Sequence, residues 1–103
     1  MDENISHSIH ALIMKIEKIN NRTENKINEL QIAINEYDTI IKRIDNFKGY
    51  CISEFIQQIT EAKNKRKNVS RKYIHNEFLR IKEIVLFRLR HNYSLIIFNS
   101  KNN

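Results

Sequence analysis

A residue suited to a helix–helix seam recurs in steps of three and four through the first half of this chain. It falls at Ile5, Ile9, Leu12, Ile16, Ile19, Thr23, Ile27, Leu30, Ile34, Tyr37, Ile41 and Ile44. That spacing keeps one edge of a long helix turned toward a partner helix, the pattern of a coiled coil. The chain has no proline and a single glycine, Gly49, so the strongest helix breakers are missing everywhere except near its middle. The pattern therefore predicts an all-α fold, an antiparallel two-helix coiled-coil hairpin, in one domain covering residues 1–103. Its parts are a helix over 3–46, a turn over 47–53, a helix over 54–92 and a tail over 93–103. The first arm would be about 66 Å long at 1.5 Å per residue. Gly49 suits the left-handed position that follows a helix end, and Ser53 followed by Glu54 suits the start of the next helix.

The rhythm slips once. The steps from Ile19 to Thr23 to Ile27 are both four, an eleven-residue unit that locally relaxes the left-handed supercoil. Thr23 is the polar entry in the seam, and Asn20, Asn21, Asn25 and Asn28 surround it with poor helix propensity. The rod should be weakest there.

Charge divides unevenly between the arms. The chain carries +6 overall, made of −1 over residues 1–48 and +7 over residues 49–103. The second arm opens with its own seam at Ile52, Phe55, Ile59, Ala62, Arg66, Val69 and Tyr73, then shifts by one residue to Ile74, Phe78, Ile81, Val85 and Leu89. Between these stretches lie Lys63, Lys65, Arg66, Lys67, Arg71 and Lys72. Such a run is either a solvated helix face or a surface for an anionic partner, and Glu24, Glu29, Glu36 and Asp38 of the first arm could neutralise part of it. Ile84, Val85, Leu86 and Phe87 are consecutive and cover most of the helix circumference, more than one facing helix can bury. With Arg80, Lys82, Arg88 and Arg90 beside them they form the candidate partner-binding surface: Arg80, Lys82, Ile84, Val85, Phe87, Arg88 and Arg90. The alternative is that the last residues, including Leu95, Ile96, Ile97 and Phe98, fold back and cover it.

Chemistry of other kinds finds little support. One glycine cannot build a phosphate-cradling loop or a nucleophile elbow, and the carboxylates are scattered along a rod with no hollow to hold them, so no catalytic residues and no cofactor are assigned. His7 and His10 share a helix face, and the hairpin register sets His91 opposite residue 8, so three imidazoles could meet at the open end; isolated surface histidines are the alternative reading, and no metal is assigned. Clustered basic residues suit phosphate contacts, yet no recognition-helix module or base-stacking sheet accompanies them, so any nucleic-acid binding would be non-specific, of a phage or viral type. The lone Cys51 rules out an internal disulfide, and no stretch approaches the roughly 20 apolar residues of a membrane span. These features lead to the expectation of a cytoplasmic protein without a membrane span.

The paired seams, the helix start at Cys51-Ile52-Ser53-Glu54-Phe55-Ile56 and the basic second arm resemble the small coiled-coil stalk proteins of bacterial type III secretion and flagellar export, the FliJ, YscO and InvI group. The resemblance spans roughly residues 5–93 and is one of architecture. It implies a non-enzymatic stalk whose open end enters and stimulates a hexameric secretion ATPase while the other end faces the export gate. A second reading is a self-associating structural protein, a homodimer joined through residues 81–98.

Overall fold

The computed structural model describes residues 2–19, 26–43, 45–64 and 70–101. Among these residues the fold is all-helical, with four α-helices, one 3-10 helix and no strand. Helix α1 spans Asp2–Lys18, α2 spans Lys26–Lys42, α3 spans Glu54–Asn64 and α4 spans Arg71–Lys101. The 3-10 helix, Asp45–Tyr50, links α2 to α3.

The expected two-helix hairpin is thus replaced by four helices, because each long arm is divided once. Helix α1 ends just before the asparagine-rich stretch, and α3 ends at Asn64 inside the basic run. The Thr23 slip, Ile44, Lys65, Arg66, Lys67 and Val69 lie outside the described residues. Contacts show how the four pieces run. Lys15 of α1 reaches Glu36 of α2, while Lys26 lies over the Phe78 ring and Tyr37 bonds Asn92, so α2 runs parallel to α4. Asp38 reaches Ile52 and Gln31 reaches Thr60, so α2 and α3 are antiparallel. Arg88 reaches Glu54 on α3, while Lys82 reaches Ile19 and His10 lies by Tyr93 on α1. Helix α4 therefore runs against both α1 and α3, and each helix packs chiefly against two neighbours in an up-down-up-down bundle of 50 × 21 × 17 Å.

Burial explains the second fold. The seam residues Ile9, Leu12, Ile16, Ile19, Ile27, Leu30, Ile34, Tyr37 and Ile41 are all buried, as are Ile52, Phe55, Ile59, Ala62, Ile74, Phe78, Ile81, Val85 and Leu89. So are Ile13, Ala33 and Leu86, which stand off those seams, and Ile96, which extends the second one. A single facing helix covers a narrow strip, whereas a square of four covers a wide apolar face on each member. Halving the arms brings the extra residues into one continuous core.

Three local expectations change. The second long helix continues through Lys101 where a tail had been expected from residue 93, because Ile96 is buried and Asn99 bonds the Tyr50 hydroxyl at 3.5 Å. Tyr73, expected in the seam, is 42% exposed. Gly49 sits inside the 3-10 helix and has no positive φ, so its freedom is not used for a left-handed cap. The α3 start after Ser53 is as expected. At the start of α4, the Ser70 hydroxyl accepts a bond from the Tyr73 amide at 3.2 Å, an N-cap whose serine passed unremarked in the sequence.

Two substitutions test these local assignments by urea unfolding. Ser70→Ala should cost about 1 kcal/mol. Gly49→Ala should be neutral or stabilise by about 0.4–1 kcal/mol, since a Cβ there would meet nothing within 4 Å and the backbone suits an L-residue.

Candidate functional site

Helix α4 has to satisfy three neighbours on its inner side and still present a wide outer face. Its inner residues Ile74, Phe78, Ile81, Val85, Leu89 and Ile96 are buried in steps set by the bundle. Buried Asn92 continues that line and supplies a polar node: its Nδ2 donates to the Tyr37 hydroxyl oxygen and to the Tyr50 carbonyl, both at 2.9 Å. The Tyr37 hydroxyl in turn donates to the Tyr50 carbonyl at 2.9 Å. Burial pushes the Tyr37 phenol well above its usual range, so the neutral hydroxyl is the form held in the core. Beside it the buried Asp38 accepts from the Ile52 amide at 2.8 Å through Oδ1, while Oδ2 is buried without a hydrogen-bond partner.

The basic residues expected to grip a partner are engaged within the chain. Lys82 Nζ donates to the carbonyls of Glu17 at 3.1 Å and Ile19 at 2.7 Å, closing the end of α1 where the helix leaves its last carbonyls without amides. Arg90 pairs with Glu17 at 2.8 Å, Arg80 with Glu77 at 3.0 Å, and Arg88 with Glu54 at 3.4 Å. The Arg88 guanidinium also lies 5.8 Å from the Phe55 ring centre. These pairs are largely exposed, so each contributes only about 0–1 kcal/mol, and the two that cross between helices, Arg90–Glu17 and Arg88–Glu54, serve mainly to set which helices lie side by side.

The four consecutive apolar residues separate as their helical spacing demands. Val85 and Leu86 are in the core, whereas Ile84 is 37% exposed and Phe87 is 73% exposed. The sequence reading missed what continues this outer face. Tyr73, Glu77, Arg80, Ile84, Phe87, His91, Ser94 and Phe98 follow one another in alternating steps of four and three, a second seam on the helix, with Phe98 64% exposed. The same three-and-four test that found the inner seam would have found it, had it been applied to both sides of the helix. A smaller apolar spot on α2, around Ile32 and Ile40, lines a shallow groove with Asn35, Glu36, Thr39 and Arg43.

The expected histidine group does not form a cluster. His10 packs against Tyr93 with ring centres 6.0 Å apart, and His91 lies on the outer seam of α4. Among the described residues no three His, Cys, Asp or Glu side chains are placed to hold a metal ion. Cys51, within the segment expected as the turn, is half-buried, and burial followed by the nearby Asp38 charge pushes its thiol up, away from the reactive thiolate. No described helix is long and apolar enough to cross a membrane. Comparison with known proteins finds no family model, no curated protein and no solved structure that matches this chain.

Three variants separate structural from surface roles around α4. Tyr37→Phe should lower stability by about 1–2 kcal/mol, since it removes one bond to the Tyr50 carbonyl and the acceptor for Asn92. Lys82→Ala should cost about 1 kcal/mol through the α1 terminus, whereas Arg80→Ala, which loses a pair three residues away on the same helix, should cost no more than about 0.5 kcal/mol. Urea denaturation of the variants in parallel checks all three.

Proposed function

We propose that this chain is a non-catalytic protein-docking bundle whose working surface is the outer seam of α4. The observation that carries the proposal is the placement of Phe87 and Phe98 at 73% and 64% exposure, in line with Ile84 and Tyr73, on a helix whose other side is fully packed. Large apolar residues left singly at a surface are ordinary, but a line of them at coiled-coil spacing is what a partner helix recognises. Of the residues first assigned to partner binding, Ile84 and Phe87 keep that role. Val85 is a core residue, and Arg80, Lys82, Arg88 and Arg90 act first in holding α4 to α1, to α3 and to itself.

The export-ATPase stalk is a second, narrower reading. What favours it is the pairing of the first and last helices: Lys82 reaches Ile19 and His10 lies by Tyr93, close to the register a stalk hairpin would have. Against it stands the length of the bundle, 50 Å, shorter than the roughly 66 Å arm that an undivided helix over 3–46 would form.

Photocrosslinking tests the docking surface. Phe87→p-benzoylphenylalanine, expressed in the producing cell and irradiated, should yield a discrete product, and the same substitution at Gln57 on α3 should yield none. Equal, diffuse labelling from both positions, or no product from position 87, would sink the reading. For the stalk, adding the purified chain to a hexameric type III export ATPase should raise ATP hydrolysis severalfold, and an unchanged rate removes that reading while leaving the docking surface standing.

A further inference from the structure

Resting on that reading of the α4 face, we infer that its occupant is a second copy of this chain, docked as an antiparallel α4–α4 pair about a two-fold axis between Ile84 and Phe87. An interface of this symmetry must be self-complementary, because a contact from residue i to residue j is repeated from j to i. The outer seam has that property. Read from Tyr73 to Phe98 it runs apolar, polar, polar, apolar, then apolar, polar, polar, apolar: Tyr73, Glu77, Arg80, Ile84, Phe87, His91, Ser94, Phe98. Antiparallel pairing about its centre sets Ile84 against Phe87 and Tyr73 against Phe98. It also sets Glu77 against Ser94 and Arg80 against His91.

Other arrangements fit less well. Sliding the antiparallel register by one heptad in either direction puts an arginine against an aliphatic or aromatic side chain. A parallel pair would stack Glu77 on Glu77 and Arg80 on Arg80, and like charges facing each other in a seam oppose association. Charge along one edge supports the same register. Glu83 and Arg90 are exposed, seven residues apart, and flank the seam on one side. In the antiparallel register Glu83 of each copy lies beside Arg90 of the other, giving two opposite-charge pairs related by the axis. Arg90 keeps 54% of its side chain exposed while paired with Glu17, so it can serve both carboxylates.

Sedimentation equilibrium on the full chain tests the inference. The wild-type chain should show a monomer–dimer equilibrium, and Phe87→Glu should be monomeric with an unchanged helical circular-dichroism spectrum, since Phe87 contributes little to the monomer core. Glu83→Arg alone should weaken the dimer by about tenfold, and combining it with Arg90→Glu should recover most of that loss. Orientation follows from cysteine pairing in a Cys51→Ser background. Tyr73→Cys and Phe98→Cys are separated by about 38 Å along the helix, so each alone should remain uncrosslinked under mild oxidation while a mixture of the two forms a disulfide-linked dimer.

A chain that stays monomeric at every concentration overturns the inference, as does a dimer indifferent to Phe87→Glu or one in which each cysteine variant crosslinks to itself. The crosslink from position 87 distinguishes this failure from that of the docking surface. A product with twice the chain mass supports the second copy. A product of another mass from a monomeric chain overturns the second copy and leaves the docking face standing, and no product overturns both.

Discussion

The amount of apolar side chain that must leave water governs this fold. Two long helices packed along one seam can hide residues spaced by three and four, but they leave a second row, here Ile13, Ala33 and Leu86, at the water boundary. Bending each arm once removes that row from solvent without lengthening the chain. The bends cost helix hydrogen bonds, and those costs are small beside the burial of several aliphatic side chains, each worth roughly 1.5–3 kcal/mol. Helix α1 ends at Lys18, beside asparagines that contribute little to helix stability, and α3 ends at Asn64 before α4 begins at Arg71.

A core built from isoleucine and leucine alone specifies its partners loosely, and polar groups make the arrangement particular. Tyr37 on α2, Asn92 on α4 and the Tyr50 carbonyl between α2 and α3 share three hydrogen bonds inside the bundle. Sliding any of these elements by one helical turn would leave buried donors and acceptors unpaired, a cost of about 1–3 kcal/mol for each group. The 3-10 segment is held to α4 at two points, by Asn92 on the Tyr50 carbonyl and by Asn99 on the Tyr50 hydroxyl. That explains why α4 continues as a helix through residues whose composition alone suggested a tail.

Helix α4 is the member on which fold and proposed function meet. Its two seams are displaced around the same helix, one facing the other three helices and one facing outward. Lys82, Arg88 and Arg90 fasten α4 to the end of α1 and to α3. The net positive charge of the second half is thereby partly spent inside the molecule, and it cannot be read directly as the signature of an anionic partner.

From the sequence by itself came the all-helical class, most of the described seam residues, with Tyr73 the exception, and the antiparallel sense of the first and last helices. These follow from local periodicity and from the near absence of helix breakers, which act over a few residues and are visible in one dimension. Helix α1 ends at Lys18, short of the asparagine-rich stretch, but nothing in the spacing said that α2 would run back along it. Whether a weak point becomes a bend depends on what burial the bend makes possible, which is a property of four segments together. Tertiary structure alone decided that Val85 and Leu86 enter the core while Ile84 and Phe87 stay outside, and that Arg80, Lys82, Arg88 and Arg90 find partners within the chain. A side chain's neighbours across the bundle are set by the packing of other helices, and no spacing within its own helix records them.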